Sequence, residues 1–171
     1  YPGQVTIVRG DSLAFGGAGG TEKLAQRVPT LTSTHLGSGR NKLFIRGIAD
    51  SSFTGPTQST VGQYFGDLRL SYNAPDPDLR LSDLDRVEVL EGPQGTLYGA
   101  GTLGGAIRYI PKRPEFDAVG VSLRAESYKY SEAEDLSAEM GMTLNLPLSD
   151  RFALRGSIDF RDDSGFIDQP F

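Results

Sequence analysis

The sequence predicts an α+β domain over residues 1–114, a small mixed β-sheet with short helices and long loops, followed over residues 115–171 by about three antiparallel strands. Three observations carry this prediction. Up to Pro114, short apolar runs alternate with connections rich in Gly, Pro, Asn and Asp. After Pro114, apolar and polar residues alternate with a period of two through three successive segments. The 22 glycines among 171 residues favour turns and strands over long helices.

Within the first region, "QVTIVRG" reads as a strand. "TEKLAQRV" reads as a short helix with Thr21 as its N-cap, Leu24 and Val28 one turn apart, and Pro29 closing it. "KLFIRGI" is a second strand, and "VGQYFGDLRL" is a strand pair or hairpin around Gly66-Asp67. "DRVEVLEG" and "GGAIRYIP" complete the set. Two long polar loops, "ADSSFTGPTQST" and "SYNAPDPD", separate them, and structureless loops of that size in a compact domain are usually functional or disordered.

In the second region, Val119, Val121, Leu123 and Ala125 alternate with Ser122, Arg124 and Glu126. Every even position from Leu136 to Leu148 is apolar, and Phe152, Leu154, Ile158 and Phe160 alternate with Arg155, Ser157, Asp159 and Arg161. "PLSD" is a short turn between the second and third segments, whereas "KYSEAED" is longer and charged. Short turns at one end and polar loops at the other match outer-membrane barrel strands, apolar towards lipid and polar towards the lumen. An antiparallel meander lying on a soluble core shows the same alternation.

The string Gly99-Ala100-Gly101-Thr102-Leu103-Gly104 satisfies G-x-G-x-x-G. A dinucleotide turn needs a helix of ten or more residues starting at the glycines. Here Ile107, Tyr109 and Ile110 favour a strand, and Pro111 and Pro114 would stop a helix early. The glycines Gly92, Gly99, Gly104 and Gly105, with Pro93, are therefore assigned to a structural turn that brings two strands together.

Other chemistry is sparse. Net charge is −5 with scattered basic residues, so no nucleic-acid face is expected. Cysteine is absent, which removes disulfides and thiolate metal sites, and the single His35 reads as a loop side chain. No run approaches the ~18 apolar residues of a membrane helix. With no nucleophile elbow, histidine dyad or metal-ligand cluster, neither enzymatic activity nor a cofactor is expected. The acidic pairs Asp162-Asp163 and Asp76/Asp78 read as loop solvation, with Ca²⁺ binding the alternative.

"DLDRVEVLEGPQGTLYGAGTLGGAIRYIPKRP" resembles the end of the plug domain of TonB-dependent outer-membrane receptors. "VPTLTSTHLGSGRNKLFIRGI", with Ile45-Arg46-Gly47, is similar to an earlier stretch of that plug, and Phe65-Gly66-Asp67 to its hairpin. Glu91 stands where the family often carries Arg. The likeness covers roughly residues 4–116, and "LPLSDRFALRGSIDF" resembles early wall strands of the same receptors.

The resemblance implies a plug followed by the opening strands of a plugged 22-stranded barrel, a piece of a transporter without catalysis. It places the protein in the outer membrane of a Gram-negative bacterium, with the plug facing the periplasm and lipid around the wall. The implied partners are a ferric siderophore or similar metal chelate and periplasmic TonB, through a coupling segment expected before residue 4. Phe53, Thr54, Gln58, Tyr72 and Asn73 are the implied substrate-binding residues of the plug loops. Arg46 and Arg86 are the implied plug–barrel ion pairs, since a desolvated arginine requires carboxylate partners. The other reading is a stand-alone soluble module of plug-like fold that binds a ligand or protein; a reading frame ending soon after Phe171 would favour it.

Overall fold

The computed structural model describes residues 4–13, 20–34, 41–48, 59–71, 79, 81–129, 131 and 135–164. Packing divides the chain into two units, residues 1–112 and 113–171.

The first unit is organised around a five-stranded mixed sheet in the order β1-β6-β7-β4-β5. Its strands are β1 (Val5–Arg9), β4 (Val61–Phe65), β5 (Leu68–Arg69), β6 (Leu84–Glu91) and β7 (Gly105–Pro111). β4 runs parallel to β7, and every other pairing in this sheet is antiparallel. A second, two-stranded sheet joins β2 (Leu31–Ser33) to β3 (Leu43–Ile45).

The helical content is small: a 3₁₀ turn at Gly10–Leu13, α1 (Gly20–Ala25) and α2 (Gly95–Tyr98). One face of the five-stranded sheet meets α1, the 3₁₀ turn and the β2–β3 pair in a single core. There Val87, Val89, Ile107 and Tyr109 pack with Leu13, Leu24, Val28, Leu31, Leu43 and Ile45, all buried. On the other face a smaller cluster of Tyr64, Leu90 and Ala106 packs with the partly buried Tyr98.

Several local expectations are corrected. α1 starts at Gly20, so Thr21 lies buried inside its first turn rather than capping it. Gly20 takes φ +58°, a conformation open to glycine, and it begins the helix one residue earlier. Arg46 is not on a strand: β3 stops at Ile45, and Arg46 turns the chain at φ +54°. β2, α2 and the 3₁₀ turn have three or four residues each, too few to show a period.

The glycine-rich connection between β6 and β7 is a turn that returns the chain antiparallel to itself, as expected. Its only helix, α2, precedes the G-x-G-x-x-G string, and a strand follows that string. Gly105 is where glycine is required. It has φ +148°, and a Cβ would run into the Leu90 carbonyl oxygen and stand 2.8 Å from Ile45 Cδ1. Gly105→Ala is therefore expected to destabilise this unit by about 3 kcal/mol, combining backbone strain with overpacking. Faster hydrogen exchange across β6 and β7 in the full-length gene product checks it, and unchanged protection contradicts it.

The second unit is a three-stranded antiparallel sheet, β10-β9-β8, of β8 (Gly120–Tyr128), β9 (Ser137–Ser149) and β10 (Phe152–Asp162). Asp150-Arg151 make the tight turn between β9 and β10, later than the expected "PLSD", because Pro147, Leu148 and Ser149 remain in β9. The register lines apolar residues across all three strands. Leu123 faces Met142 and Ile158, and Ala125 faces Met140 and Phe160. The intervening rows are polar: Ser122, Thr143 and Ser157 in one, Arg124, Gly141 and Asp159 in the next. This is the period-two pattern realised as two faces of opposite chemistry.

Candidate functional site

The expected substrate residues Phe53, Thr54, Gln58, Tyr72 and Asn73, like His35, Asp76 and Asp78, lie outside the described residues. The roots of both loops are described. Thr60 Oγ1 donates to Ile48 O at 3.1 Å, joining the residues on either side of the 49–58 stretch. Leu70 N–H donates to Gln63 O at 2.9 Å, and Gln63 N–H donates to Ser71 Oγ at 2.8 Å. The β4–β5 hairpin turns at Gly66-Asp67, so Val61 and Ser71 both stand at its open end. Both loops consequently leave the sheet from the same end.

Close to the first root is a buried carboxylate. Glu91 closes β6 on the core face, and its side chain is 1% exposed. A carboxylate so deep needs compensating donors. Arg46 Nε donates 2.8 Å to Oε2, Thr30 Oγ1 donates 2.9 Å to Oε1, and Thr6 Oγ1 donates 3.4 Å to Oε1. The Glu91 N–H donates to Gln4 O at 2.9 Å, and Arg46 Nη2 reaches Gln4 Oε1 at 3.4 Å. Arg46 itself is half exposed, which keeps its charge partly hydrated.

Sequence reasoning missed this pairing because 45 residues separate the partners. The available signal was the acid at position 91 together with the basic Ile45-Arg46-Gly47 turn.

The opposite face of the sheet carries a ladder of charges. Arg86 Nε donates 2.8 Å to Glu88 Oε1 and its Nη1 donates 2.6 Å to Asp85 Oδ2. The Glu88 hydrogen bond, followed by that to Asp85, raises the Arg86 pKa above its ordinary value. Arg108 Nη1 donates 3.1 Å to Glu88 Oε2, and its Nη2 reaches Asp67 Oδ1 at 3.4 Å. Both arginines expected to pair with a barrel wall thus have carboxylate partners inside their own unit.

Lys112 Nζ donates 2.9 Å to Asp11 Oδ1. That hydrogen bond, with the charge behind it, holds the Asp11 carboxyl below its ordinary 3.8. Because folding depresses this pKa, the pair's contribution is complete above pH 3.8 and fades as pH falls through the lower folded value. The Asp11 carboxyl carbon resonance is expected to titrate below 3.8 and to return towards it in Lys112→Met. A midpoint unchanged by Lys112→Met would remove the lysine as the cause.

In the second unit the two faces differ sharply. Leu123 is 77% exposed and Ile158 71%, and Val121, Met140, Met142, Leu154 and Phe160 are exposed on the same face. Leu123, Met140, Met142, Ile158 and Phe160 line an open apolar groove with Arg124, Ala125 and Gly141 at its margin. On the polar face Arg124 Nη2 bonds Asp159 Oδ1 across Gly141, the absence of a side chain at Gly141 leaving the room for it. Asn145 is 2% exposed and clamps the entering chain. Its Nδ2 donates to Glu115 O and Ala118 O, and its Oδ1 accepts from Glu115 N–H. Asp163 accepts from Arg161 Nε and from the Tyr128 hydroxyl, so this acidic position is occupied by protein donors. No group of three metal-ligating side chains occurs among the described residues.

A mixed-sheet domain with a buried charge cluster is followed along the chain by three antiparallel strands with one exposed, largely apolar face. The chain belongs to the TonB-dependent receptor plug domain family, whose model matches residues 1–106. It is 28% identical over 171 residues to the ferripyoverdine receptor of Pseudomonas aeruginosa, covering 98% of this chain and 19% of that receptor.

Two solved structures share its fold. The ferric yersiniabactin uptake receptor FyuA from Yersinia pestis superposes with a TM-score of 0.69 at 25% identity, over 92% of this chain and 23% of that one. The ferripyoverdine receptor of the outer membrane of Pseudomonas aeruginosa, bound to ferripyoverdine, gives 0.71 at 20% identity, over 94% of this chain and 20% of that one. The chain thus spans about one fifth of the length of the relative and structures it matches. These relatives are receptors rather than enzymes, and plugged barrels are their architecture.

Proposed function

We propose that the whole protein is an outer-membrane receptor for active uptake of a scarce metal chelate, a ferric siderophore or close analogue. In this reading the plug gates the lumen and faces the periplasm, periplasmic TonB supplies the energy through a coupling segment, and β8–β10 open the lipid-embedded wall. The observation that carries the reading is continuity: similarity to a ferripyoverdine receptor runs from the plug into strands with one largely apolar face. That face, bare in water, suits acyl chains, and the polar rows suit a wet lumen. Chelated iron appears in the names of both relatives above, and the aromatic and amide side chains Phe53, Gln58, Tyr72 and Asn73 suit an amphiphilic ligand.

The test is growth-linked uptake by the full-length gene in an iron-starved host lacking its own receptors. Ferric siderophores of several chemical types, haem, cobalamin and oligosaccharide are offered in turn, with and without TonB. Growth on a ferric siderophore only when TonB is present is expected. Growth on another class instead, or a soluble product that supports none, overturns the reading.

We also propose that Arg46 and Arg86, beyond their partners within the plug, meet wall acids and hold the plug in its seat. Arg86→Ala in the full-length protein is then expected to raise susceptibility to large antibiotics. Unchanged susceptibility together with unchanged uptake contradicts that role.

A further inference from the structure

Glu91 is a node at which three separate segments meet. From the N-terminal segment come the Gln4 carbonyl, just before β1, and the Thr6 hydroxyl on it, and from the turn before β2 comes the Thr30 hydroxyl. The third is Arg46, whose N–H donates to Thr30 O at 2.8 Å.

The Arg46 side of the node is also the neck of the 49–58 stretch, and hydrogen bonds around it close into a ring. Gly92 N–H donates to Gly104 O at 3.1 Å, and Gly104 N–H donates to Thr60 O at 2.8 Å. Thr60 Oγ1 donates to Ile48 O, Ile48 N–H donates to Ile45 O at 3.1 Å, and Arg46 returns to Glu91. The N-terminal strand is fastened to this ring at Glu91.

We propose that Glu91 is a clasp through which the N-terminal strand β1 and the neck at Arg46–Ile48 are held or released together. The physical reason is the burial of its charge. If β1 leaves, Glu91 loses the Thr6 hydroxyl and the acceptor for its own N–H; water enters, and the pull on Arg46 weakens. If Arg46 leaves, the carboxylate keeps only two neutral hydroxyl donors in a buried site, and admitting water across the end of β1 becomes the less costly state. Each side therefore stabilises the other, which is a coupling free energy between two places on the plug. β1 suits release because among the described residues it is an edge strand, paired on one side to β6, with Val5 and Ile7 exposed.

The significance for transport rests on the receptor reading above, whereas the coupling does not. It is tested without substrate, so its failure is distinguishable from failure of uptake. Amide exchange is measured on the full-length protein in three variants, Thr6→Val, Arg46→Gln and Glu91→Gln, and in the two double variants with Glu91→Gln. Thr6→Val is expected to speed exchange at the Arg46 and Ile48 amides about fivefold, the loss of one hydrogen bond of ordinary net strength. Arg46→Gln is expected to do the same at the Thr6, Val8 and Glu91 amides. In the Glu91→Gln background neither effect crosses.

The proposal is overturned if each single variant speeds exchange only on its own side, or if crossing persists without the Glu91 charge. Amides of Val87 and Ile107 report global unfolding. Where Glu91→Gln frees them as well, the two single variants decide the matter by themselves.

Discussion

Replacing Tyr109 with alanine is expected to remove about 4 kcal/mol from the plug, the usual cost of truncating a fully buried large aromatic. Tyr109 is 0% exposed at the centre of β7, between Val87 on β6 and Phe65 on β4. Its ring fills the core under α1 and the β2–β3 pair, and its hydroxyl donates 3.0 Å to Gln63 Oε1, itself buried. Tyr109→Phe separates the two contributions. It keeps the ring and gives up one buried hydrogen bond, so about 1 kcal/mol is expected. Pulse proteolysis of the full-length protein in urea reads both. Equal losses for the two variants would mean that the hydroxyl, not the ring, dominates, contrary to the packing argument.

The second large effect depends on solvent. Ile158→Arg sits in the row Leu123–Met142–Ile158, on the face where the residues are most exposed. At a water-exposed position such a change is close to neutral, within about 0.5 kcal/mol. At the midplane of a bilayer an arginine on a barrel exterior costs about 2–4 kcal/mol, falling towards zero at the interfaces. Refolding of the full-length protein into lipid vesicles is therefore expected to be strongly impaired by Ile158→Arg. Phe152→Arg, next to the Asp150-Arg151 turn, is expected to impair it much less. Indifference to Ile158→Arg would take lipid away from this face.

Legibility in the sequence followed the length and two-sidedness of each element. β8, β9 and β10 were readable almost to the residue, because a strand with one apolar and one polar face writes its period directly into the chain. β6 and β7 were readable from their β-branched runs and from the prolines that forbid a helix after Gly104. β2 and α2 were not, since three or four residues show no period and owe their shape to neighbours: β2 to its partner β3, α2 to the returning glycine-rich chain.

The candidate site divides the same way. The turn glycines were readable, and positive φ at Gly92, Gly99 and Gly105 gives their reason. The Glu91–Arg46 pair was not, because a contact across 45 residues becomes visible only once β3 and β6 are both in place. Position 91 carries an acid where the family often has Arg, and its partner is visible only in the fold.

The sheet of the second unit ends on β8, whose far side pairs with nothing among the described residues. Cylinders abolish such open sides by joining first stave to last. In the receptor proposed above, the seam through β8 is the most non-local pairing such a wall can make and hence the slowest to form. The nine residues of β8 set how long that final zip has to be.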